Sequence, residues 1–258
     1  MIRVGPRLRS GSSPESEDAF VELEQLGFKT IISVDGAAPD VAAAEKHGLR
    51  YVHLPVGYDG IGRARVLELA KAVRDLPGPV YIHCHHGRHR GPAAAAVIRL
   101  CLDPQYTPEE AEAFLKEAGT DPRYAGLTGL PRTLKRPTAE ELDRAPADFP
   151  AVSRVADLTS RMVEIDGIWD ELKAAKDADW PKPGDSAGAA VLLIEQYREM
   201  ARTPDAKRFG KRLADAETEA GMLERALRSS DATRANTAFA ASKAICQRCH
   251  DEFRDRAK

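Results

Sequence analysis

Cys84 and Arg90 are the first residues whose types and spacing could perform chemistry. They bound the segment CHHGRHR at positions 84–90, which has the pattern Cys-x5-Arg. A loop of this kind before a helix points successive backbone N–H groups at one place and forms a cradle for a dianion. Arg90 can bind two phosphate oxygens through its forked guanidinium group. The same positive surroundings favour a thiolate at Cys84, and a thiolate is a nucleophile.

The other loop residues predict how the anion is bound. Gly87 permits the positive φ that a nest of N–H groups requires. The loop histidines are expected to add pH-dependent positive charge at the mouth, the alternative being that they are solvated polar residues without a role. The predicted phosphate-binding residues are His85, His86, Gly87, Arg88, His89 and Arg90.

A second chemical motif lies near the C-terminus. Cys246, Cys249 and His250 form the pattern Cys-x-x-Cys-His, which is typical of c-type haem attachment. On a helix these positions share a face, so both thiols can add to the porphyrin vinyl groups while the imidazole binds the iron. The motif therefore predicts covalent haem c. The alternatives are two core cysteines or a zinc site, but zinc takes four ligands and residues 151–258 contain no other Cys or His.

The first half of the chain alternates strand-like and helix-like segments. This alternation predicts an α/β domain with a parallel or mixed sheet flanked by helices. Predicted strands cover 28–34, 51–56 and 79–83, and the last of them runs directly into the cysteine loop. Predicted helices are one capped by Ser13 and ended by Gly27, one over 63–75, one over 92–101, and one that starts at a capping box on Thr107.

The second half reads as helices only. Residues 136–150 are rich in proline and polar residues and are predicted to be a linker between domains 1–135 and 151–258, with one short helix from Thr138. After it, apolar residues recur at spacings of three and four in four segments, with short breaks at prolines. This pattern predicts an antiparallel four-helix bundle.

The cysteine loop resembles the signature of the protein tyrosine and dual-specificity phosphatases. The resemblance covers roughly residues 1–135 and includes LRSG at positions 8–11. It implies phosphomonoester hydrolysis through a phosphocysteine intermediate, which water then hydrolyses. It also implies a carboxylic acid on a mobile loop, which protonates the leaving oxygen and later activates the water. Asp59 is the best match to this acid, and Asp35 is a weaker candidate.

One position departs from the phosphatase pattern. The family usually places Ser or Thr directly after the loop arginine, where its hydroxyl is thought to stabilise the departing thiolate, and this chain has Gly91 there. The departure favours a slow second step. The alternatives are a phosphate binder without catalysis, or a sulfurtransferase or arsenate reductase that uses a similar loop.

The C-terminal domain resembles cytochrome c′ and its low-spin relatives. The resemblance covers roughly residues 151–258 and rests on the haem motif in a last helix, with Phe239 before it and Arg254 after it. It places the distal residue on the first helix, where Met162 is the candidate iron ligand. Met200 lies at a similar height, and Met222 falls toward the wrong end of the bundle. A vacant distal site, suited to a diatomic gas, is the alternative to methionine ligation, which suits electron transfer.

Composition limits the partners. The chain has 258 residues and a formal net charge of -2, so it carries no global field for nucleic acid, and no apolar run has the length of a membrane span. Expected partners are a phosphorylated protein or small molecule and a redox partner or gas, with a homodimer left open. Covalent haem attachment in bacteria takes place outside the cytoplasm, so we expect a periplasmic protein whose signal peptide is absent from this sequence, the alternative being a cytoplasmic one.

These expectations leave two hypotheses about function. The first is a phosphatase that haem redox state or a bound gas modulates, and Asp59 favours it. The second is a haem-based sensor or electron carrier with a phosphate-binding domain that does not catalyse, and Gly91 favours it.

Overall fold

The chain divides into two compact units. The structure is a computed structural model that describes residues 1–154, 158–203 and 206–253. The first unit comprises Met1–Val155 and the second comprises Ala156–Lys258. The described part of the first unit is a sheet with flanking helices, whereas that of the second unit is helical.

Five strands of the described residues form one sheet in the first unit. They are β1 (Ile2–Arg3), β2 (Leu8–Ser12), β3 (Thr30–Ser33), β4 (Arg50–His53) and β5 (Val80–Cys84). Their spatial order is β1-β2-β5-β3-β4, and neighbours are parallel except for β1 and β2. The register aligns Ser12 with Cys84 and Ser33 with His83. Because the carboxyl ends of parallel strands meet at one edge, the residues after β2, β3 and β5 lie together there.

Helices flank this sheet, which confirms the predicted α/β class for this half of the chain. They are α1 (Glu17–Gln25), α2 (Val41–Lys46), α3 (Arg63–Asp75), α4 (Arg90–Leu102), α5 (Pro108–Glu117), α6 (Ala125–Thr128), α7 (Leu130–Thr133) and α8 (Ala139–Arg144). The capping box predicted at Thr107 is confirmed. The Thr107 hydroxyl accepts the N–H of Glu110, and the Glu110 carboxylate accepts the N–H of Thr107.

The first helix begins later than predicted. Ser16 is its N-cap in place of Ser13, and the Ser16 hydroxyl accepts the N–H of Ala19 at 3.3 Å. Ser13 instead donates its backbone N–H to the carbonyl of His85 at 2.9 Å, because β2 runs beside β5 up to this point. Strand β2 is not predicted from the sequence, because its residues LRSGS include a single large apolar side chain and so lack the apolar pattern of a strand.

Helix α4 brings its N-terminus to the cysteine loop. Residues 93–96 are four consecutive alanines, and all of them are buried. Their small side chains let α4 pack closely against β2 and β5. The first residue of α4 is Arg90, so the helix starts where the loop ends.

The predicted linker is wrong, because residues 136–150 pack on the first unit. Helix α8 contacts α3, and its Leu142 is buried. The buried Lys71 on α3 donates through Nζ to the carbonyl oxygens of Leu142 and Asp143, at 3.1 and 2.9 Å. These bonds satisfy carbonyls at the end of α8 that have no partner within the helix.

The described part of the second unit contains four long helices. They are α9 (Leu158–Asp177), α10 (Pro183–Ala201), α11 (Ala206–Arg228) and α12 (Ala232–Phe253). Helix α10 packs against α9 and α11, and α11 packs against α12. The ring of Trp169 on α9 stacks on Phe239 of α12 at 4.4 Å between centroids. The antiparallel bundle stays a prediction. None of the helices in the described ranges is long and apolar enough to cross a membrane.

Candidate active site and candidate haem-attachment site

The cysteine loop connects the end of β5 to the start of α4. Cys84 is the last residue of β5 and is buried. Gly87 has a φ of 68°, and a Cβ atom there would lie 2.4 Å from the backbone carbonyl carbon of Gly11. The predicted positive φ at Gly87 is therefore confirmed, and the close approach of β2 also excludes a side chain.

Arg90 is held by a buried carboxylate. Its Nη2 atom lies 3.5 Å from Oδ1 of Asp35, and both side chains are almost fully buried. Asp35 follows β3 and receives the N–H of Ala37 on the same oxygen at 3.2 Å. This position fits a residue that orients Arg90, and it does not fit the alternative assignment of Asp35 as the acid that protonates a leaving group.

Asp59 lies exposed in the loop that follows β4. The neighbouring Tyr58 places its ring 4.4 Å from the guanidinium carbon of Arg90, which is a cation–π distance. The Tyr58 ring also packs against that of Tyr124 at 4.7 Å between centroids. Tyr58, the neighbour of Asp59, therefore brings this loop into contact with Arg90. The role of Asp59 as the acid stays a prediction.

The chain after α5 supports the cysteine loop. The hydroxyl of Thr120 donates to the carbonyl of Arg88 at 2.7 Å, and the N–H of Asp121 donates to Nδ1 of His89 at 3.2 Å. Because Nδ1 accepts, a neutral His89 carries its proton on Nε2. These two hydrogen bonds could not be predicted from the sequence, because the bonded residues lie 32 positions apart.

The loop residues that are predicted to form a basic mouth differ in exposure. His86 and Arg88 are exposed. The rings of His85 and His86 stack at 4.0 Å between centroids, and Nε2 of His85 lies 3.3 Å from a carboxylate oxygen of Glu15. The side chains of His85 and His89 therefore contact polar groups outside the loop, whereas those of His86 and Arg88 are exposed to solvent.

A buried histidine directly precedes the cysteine in strand β5. Nε2 of His83 and the hydroxyl of Tyr51 share a hydrogen bond of 2.6 Å. Burial lowers the pKa of His83 to about 4, so the ring is neutral at physiological pH. Burial likewise raises the pKa of Tyr51. The residue before Cys84 therefore contributes no charge to the anion site.

A second buried histidine connects the end of the first unit to Asp35. Nε2 of His53 donates to the carbonyl of Asp35 at 2.8 Å, and its Nδ1 accepts the N–H of Ser153 at 3.2 Å. The backbone N–H of His53 donates to the carbonyl of Pro150 at 2.8 Å. Burial lowers the pKa of His53, which favours the neutral ring that these bonds require. Residues 150–153 therefore hold His53 against the loop that carries the partner of Arg90.

Gly91 lies directly against the cysteine. A Cβ atom at this position would lie 3.4 Å from Sγ of Cys84 and 3.0 Å from its backbone nitrogen. A hydroxyl on that Cβ would reach the sulfur, so the family's Ser or Thr would act at this place.

The haem-attachment motif lies on the last described turns of α12. Cys246 and Cys249 are free thiols, and both are half-buried together with His250. The intervening Gln247 and Arg248 are exposed, which confirms that the three motif residues share a face. Burial raises the pKa of both thiols.

The residues around the motif fit a haem group. Tyr197 on α10 places its hydroxyl 3.7 Å from Sγ of Cys246, and Cys249 packs against the apolar core of the second unit. Arg161 on α9 lies 3.9 Å from Glu199, two positions after Tyr197. The buried Nε of Arg161 has no hydrogen-bond partner among the described residues. The motif and its surroundings thus supply two thiols, an imidazole and apolar side chains.

The three methionines of this unit lie in different surroundings. Met162 is half-buried against the apolar core, and Met200 is fully buried. Met222 is 45% exposed and lines a groove with Ala238 near the start of α12, which confirms that it lies away from the motif. Iron ligation by Met162 stays a prediction, and Arg254 lies outside the described residues.

Comparisons with known proteins concern the first half of the chain. No protein-family model matches. The dual specificity protein phosphatase TpbA of Pseudomonas aeruginosa (strain UCBPP-PA14) is 28% identical over 142 residues, which are 50% of this chain and 64% of that protein. A beta-lactamase hydrolase-like protein of Xylella fastidiosa (strain Temecula1) is 28% identical over 96 residues, which are 34% of this chain and 22% of that protein. The chain thus spans less than two thirds of the length of either relative.

Solved structures include the same phosphatase. The crystal structure of P. aeruginosa TpbA is 24% identical, with a TM-score of 0.45, and the match covers 52% of this chain and 83% of that one. A structure of a variant of that protein in complex with phosphotyrosine is 24% identical, with a TM-score of 0.37, over 51% of this chain and 90% of that one.

The first half of this chain resembles dual specificity phosphatases. The resemblance predicted from the cysteine loop is thereby confirmed for this half. The haem domain, its cofactor and the individual site residues stay predictions.

Proposed function

We propose that the first unit hydrolyses phosphomonoesters through a phosphocysteine intermediate. One observation carries the proposal: Cys84 ends a central parallel strand, and the loop that follows it leads into α4, whose first residue is the buried Arg90. A helix N-terminus and a guanidinium group together favour a dianion beside this sulfur. The similarity of this half to a dual specificity phosphatase supports the proposal.

The reaction follows from the proposed roles. Arg90 and the loop backbone hold the phosphoryl oxygens, and the Cys84 thiolate attacks phosphorus. The S–P bond forms as the ester P–O bond breaks, and Asp59 gives its proton to the leaving oxygen. A water molecule then attacks the phosphocysteine and loses its proton to the Asp59 carboxylate. Phosphate leaves, and the thiolate of Cys84 is restored.

We propose a phosphorylated protein side chain as the substrate, with small phosphomonoesters as the alternative. A structure of the related TpbA was determined with phosphotyrosine. In this chain the ring of Tyr58 lies beside Arg90 and offers an aromatic surface next to the anion site.

Turnover of p-nitrophenyl phosphate by matched cysteine variants tests the proposal. Cys84→Ser is expected to abolish hydrolysis while anion binding persists, and Arg90→Ala is expected to lose both. Cys101→Ser is the control, because Cys101 is also a buried free thiol of the first unit and burial raises its pKa to about 11. Hydrolysis that continues unchanged in Cys84→Ser would refute the mechanism.

Gly91 favours a second candidate, a phosphate-binding domain without catalysis. The position adjoins the sulfur and carries no hydroxyl that could stabilise the departing thiolate. The two candidates differ in a simple way: a binder retains phosphate or vanadate at the loop but shows no turnover with any aryl phosphate.

We propose further that the second unit is a cytochrome c′-like four-helix bundle with haem c. Cys246 and Cys249 would hold the porphyrin through thioether bonds, and His250 would bind the iron. When bound, the haem supplies reversible one-electron chemistry or a diatomic gas site. Redox state or gas binding would then modulate the phosphatase. Because bacterial haem attachment takes place outside the cytoplasm, we propose a periplasmic location.

Production together with haem-attachment machinery tests the second proposal. The wild type is expected to show the absorption spectrum of covalent haem, and the double variant Cys246→Ser/Cys249→Ser is expected to lose it. Ferric spectra of the wild type and Met162→Ala test the distal ligand. A high-spin wild type whose spectrum is unchanged in Met162→Ala would exclude Met162.

A further inference from the structure

Three glycines surround Asp59 in the structure. Gly57 and Gly60 flank it in the loop, and Gly126 belongs to α6. A Cβ atom on Gly126 would lie 1.9 Å from the carbonyl oxygen of Asp59 and 2.2 Å from its carbonyl carbon. These distances are far shorter than any non-bonded contact, so the Asp59 backbone occupies the space that a side chain on residue 126 would need.

Gly60, in the loop that carries Asp59, also allows this close contact. Gly60 has a φ of 137°, a conformation that is essentially restricted to glycine. A Cβ atom on Gly60 would lie 3.2 Å from the carbonyl oxygen of Gly126. The Asp59 loop and α6 therefore meet backbone to backbone.

Helix α6 is tied to the anion site. Tyr124 directly precedes it, and its ring packs against those of His89 and Tyr58, each at 4.7 Å between centroids. The N–H of Asp121 bonds to the ring of His89 within the cysteine loop. A displacement at α6 is therefore transmitted to the placement of Asp59 relative to that loop.

We propose that Gly126 is a positioning residue that seats the Asp59 loop and so fixes the general acid at the leaving oxygen. This inference rests on the proposed phosphatase function. A methyl group at residue 126 displaces the Asp59 backbone by about 1 Å or more, and a misplacement of about 1 Å in an active site costs on the order of a hundredfold in rate.

Leaving-group dependence separates this role from a general loss of structure. Phenyl phosphate has a basic leaving group that needs a proton, whereas 2,4-dinitrophenyl phosphate has an acidic one that does not. Gly126→Ala is expected to lower kcat/KM, which reports on formation of the phosphocysteine, on the order of a hundredfold for phenyl phosphate and to change kcat/KM for the dinitrophenyl ester by less than about twofold. Gly62→Ala is the matched control, because a Cβ atom there meets nothing within 4 Å.

The Asp59→Asn background completes the test. There Gly126→Ala is expected to cause no further loss with phenyl phosphate, since the acid it positions is gone. If Gly126→Ala unfolds in a thermal melt, Gly60→Ala strains the same contact from the loop side and is measured instead. Equal losses of kcat/KM with both esters, no loss of kcat/KM with either, or a loss that persists in Asp59→Asn would overturn the inference. A wild type that turns over neither ester would overturn the proposed function itself.

Discussion

Gly91 is the residue at which the site departs from the phosphatases it resembles. Because Gly91 adjoins the sulfur of Cys84, its lack of a hydroxyl group affects the step in which this sulfur leaves. The first step needs a thiolate, an anion cradle and an acid. The second step also needs the sulfur to leave as a stabilised anion. A hydrogen bond to a charged group contributes about 1.5–3 kcal/mol, so in the proposed mechanism the lack of a hydroxyl at residue 91 is expected to slow the second step more than the first.

A pair of substitutions at residue 91 tests this assignment. The wild type is expected to show a burst of product before the steady state, and Gly91→Ser is expected to raise the steady-state rate about tenfold. Gly91→Ala is the control, because it adds the same Cβ at 3.0 Å from the Cys84 nitrogen without a hydroxyl. A linear time course in the wild type, or an equal response of both variants, would contradict the account.

At the scale of elements, α1 and α2 are joined by a histidine between two carboxylates. The ring nitrogens of His47 each lie 2.9 Å from a carboxylate oxygen, one of Glu24 and one of Glu17. The hydrogen bonds to Glu24 and then to Glu17 raise the pKa of His47. The contact therefore depends on the protonated ring.

The pH dependence of unfolding checks this contact. Because the pKa is raised on folding, the stabilisation is fully present below the unfolded pKa of about 6.5 and is lost as pH rises through the folded pKa. The difference in unfolding free energy between wild type and His47→Ala is expected to shrink over that rise. Glu17→Gln/Glu24→Gln should flatten the dependence, and a difference that grows with pH would contradict the assignment.

The elements also show what the sequence could predict. Strand β5, the cysteine loop and α4 follow from local signals: an apolar run, a glycine and the start of a helix. The partner of Arg90 and the support of His89 by Asp121 could not be predicted, because strand order brings distant positions together. The packing of α8 on the first unit could not be predicted either, because it depends on distant Lys71, which donates to the carbonyls of Leu142 and Asp143.

At the scale of the whole molecule, the candidate phosphatase site is contained in one unit. Its cysteine, arginine and candidate acid all lie within Met1–Val155. The end of this unit contributes to it through Pro150 and Ser153, which bond to His53. Residues 136–150, predicted to be a linker, are therefore part of the first unit.

Two fragments test this division. A fragment of residues 1–154 is expected to hydrolyse p-nitrophenyl phosphate within about twofold of the full chain, since it keeps every residue of the site. A fragment of residues 1–148 loses the bonds to His53 and is expected to be less stable by about 2 kcal/mol in denaturant titrations. Equal stability of both fragments, or an inactive 1–154 fragment that is folded, would contradict this boundary.

Detection of the covalent intermediate decides whether Cys84 is the nucleophile. The full chain is mixed with p-nitrophenyl phosphate, quenched in denaturant during the burst, and digested for mass spectrometry, with Cys84→Ser treated in parallel. We expect one phosphoryl group on the peptide that contains Cys84 and none in the variant. Turnover by the wild type with no phosphoryl group on Cys84, or with the group on another residue, would contradict this expectation.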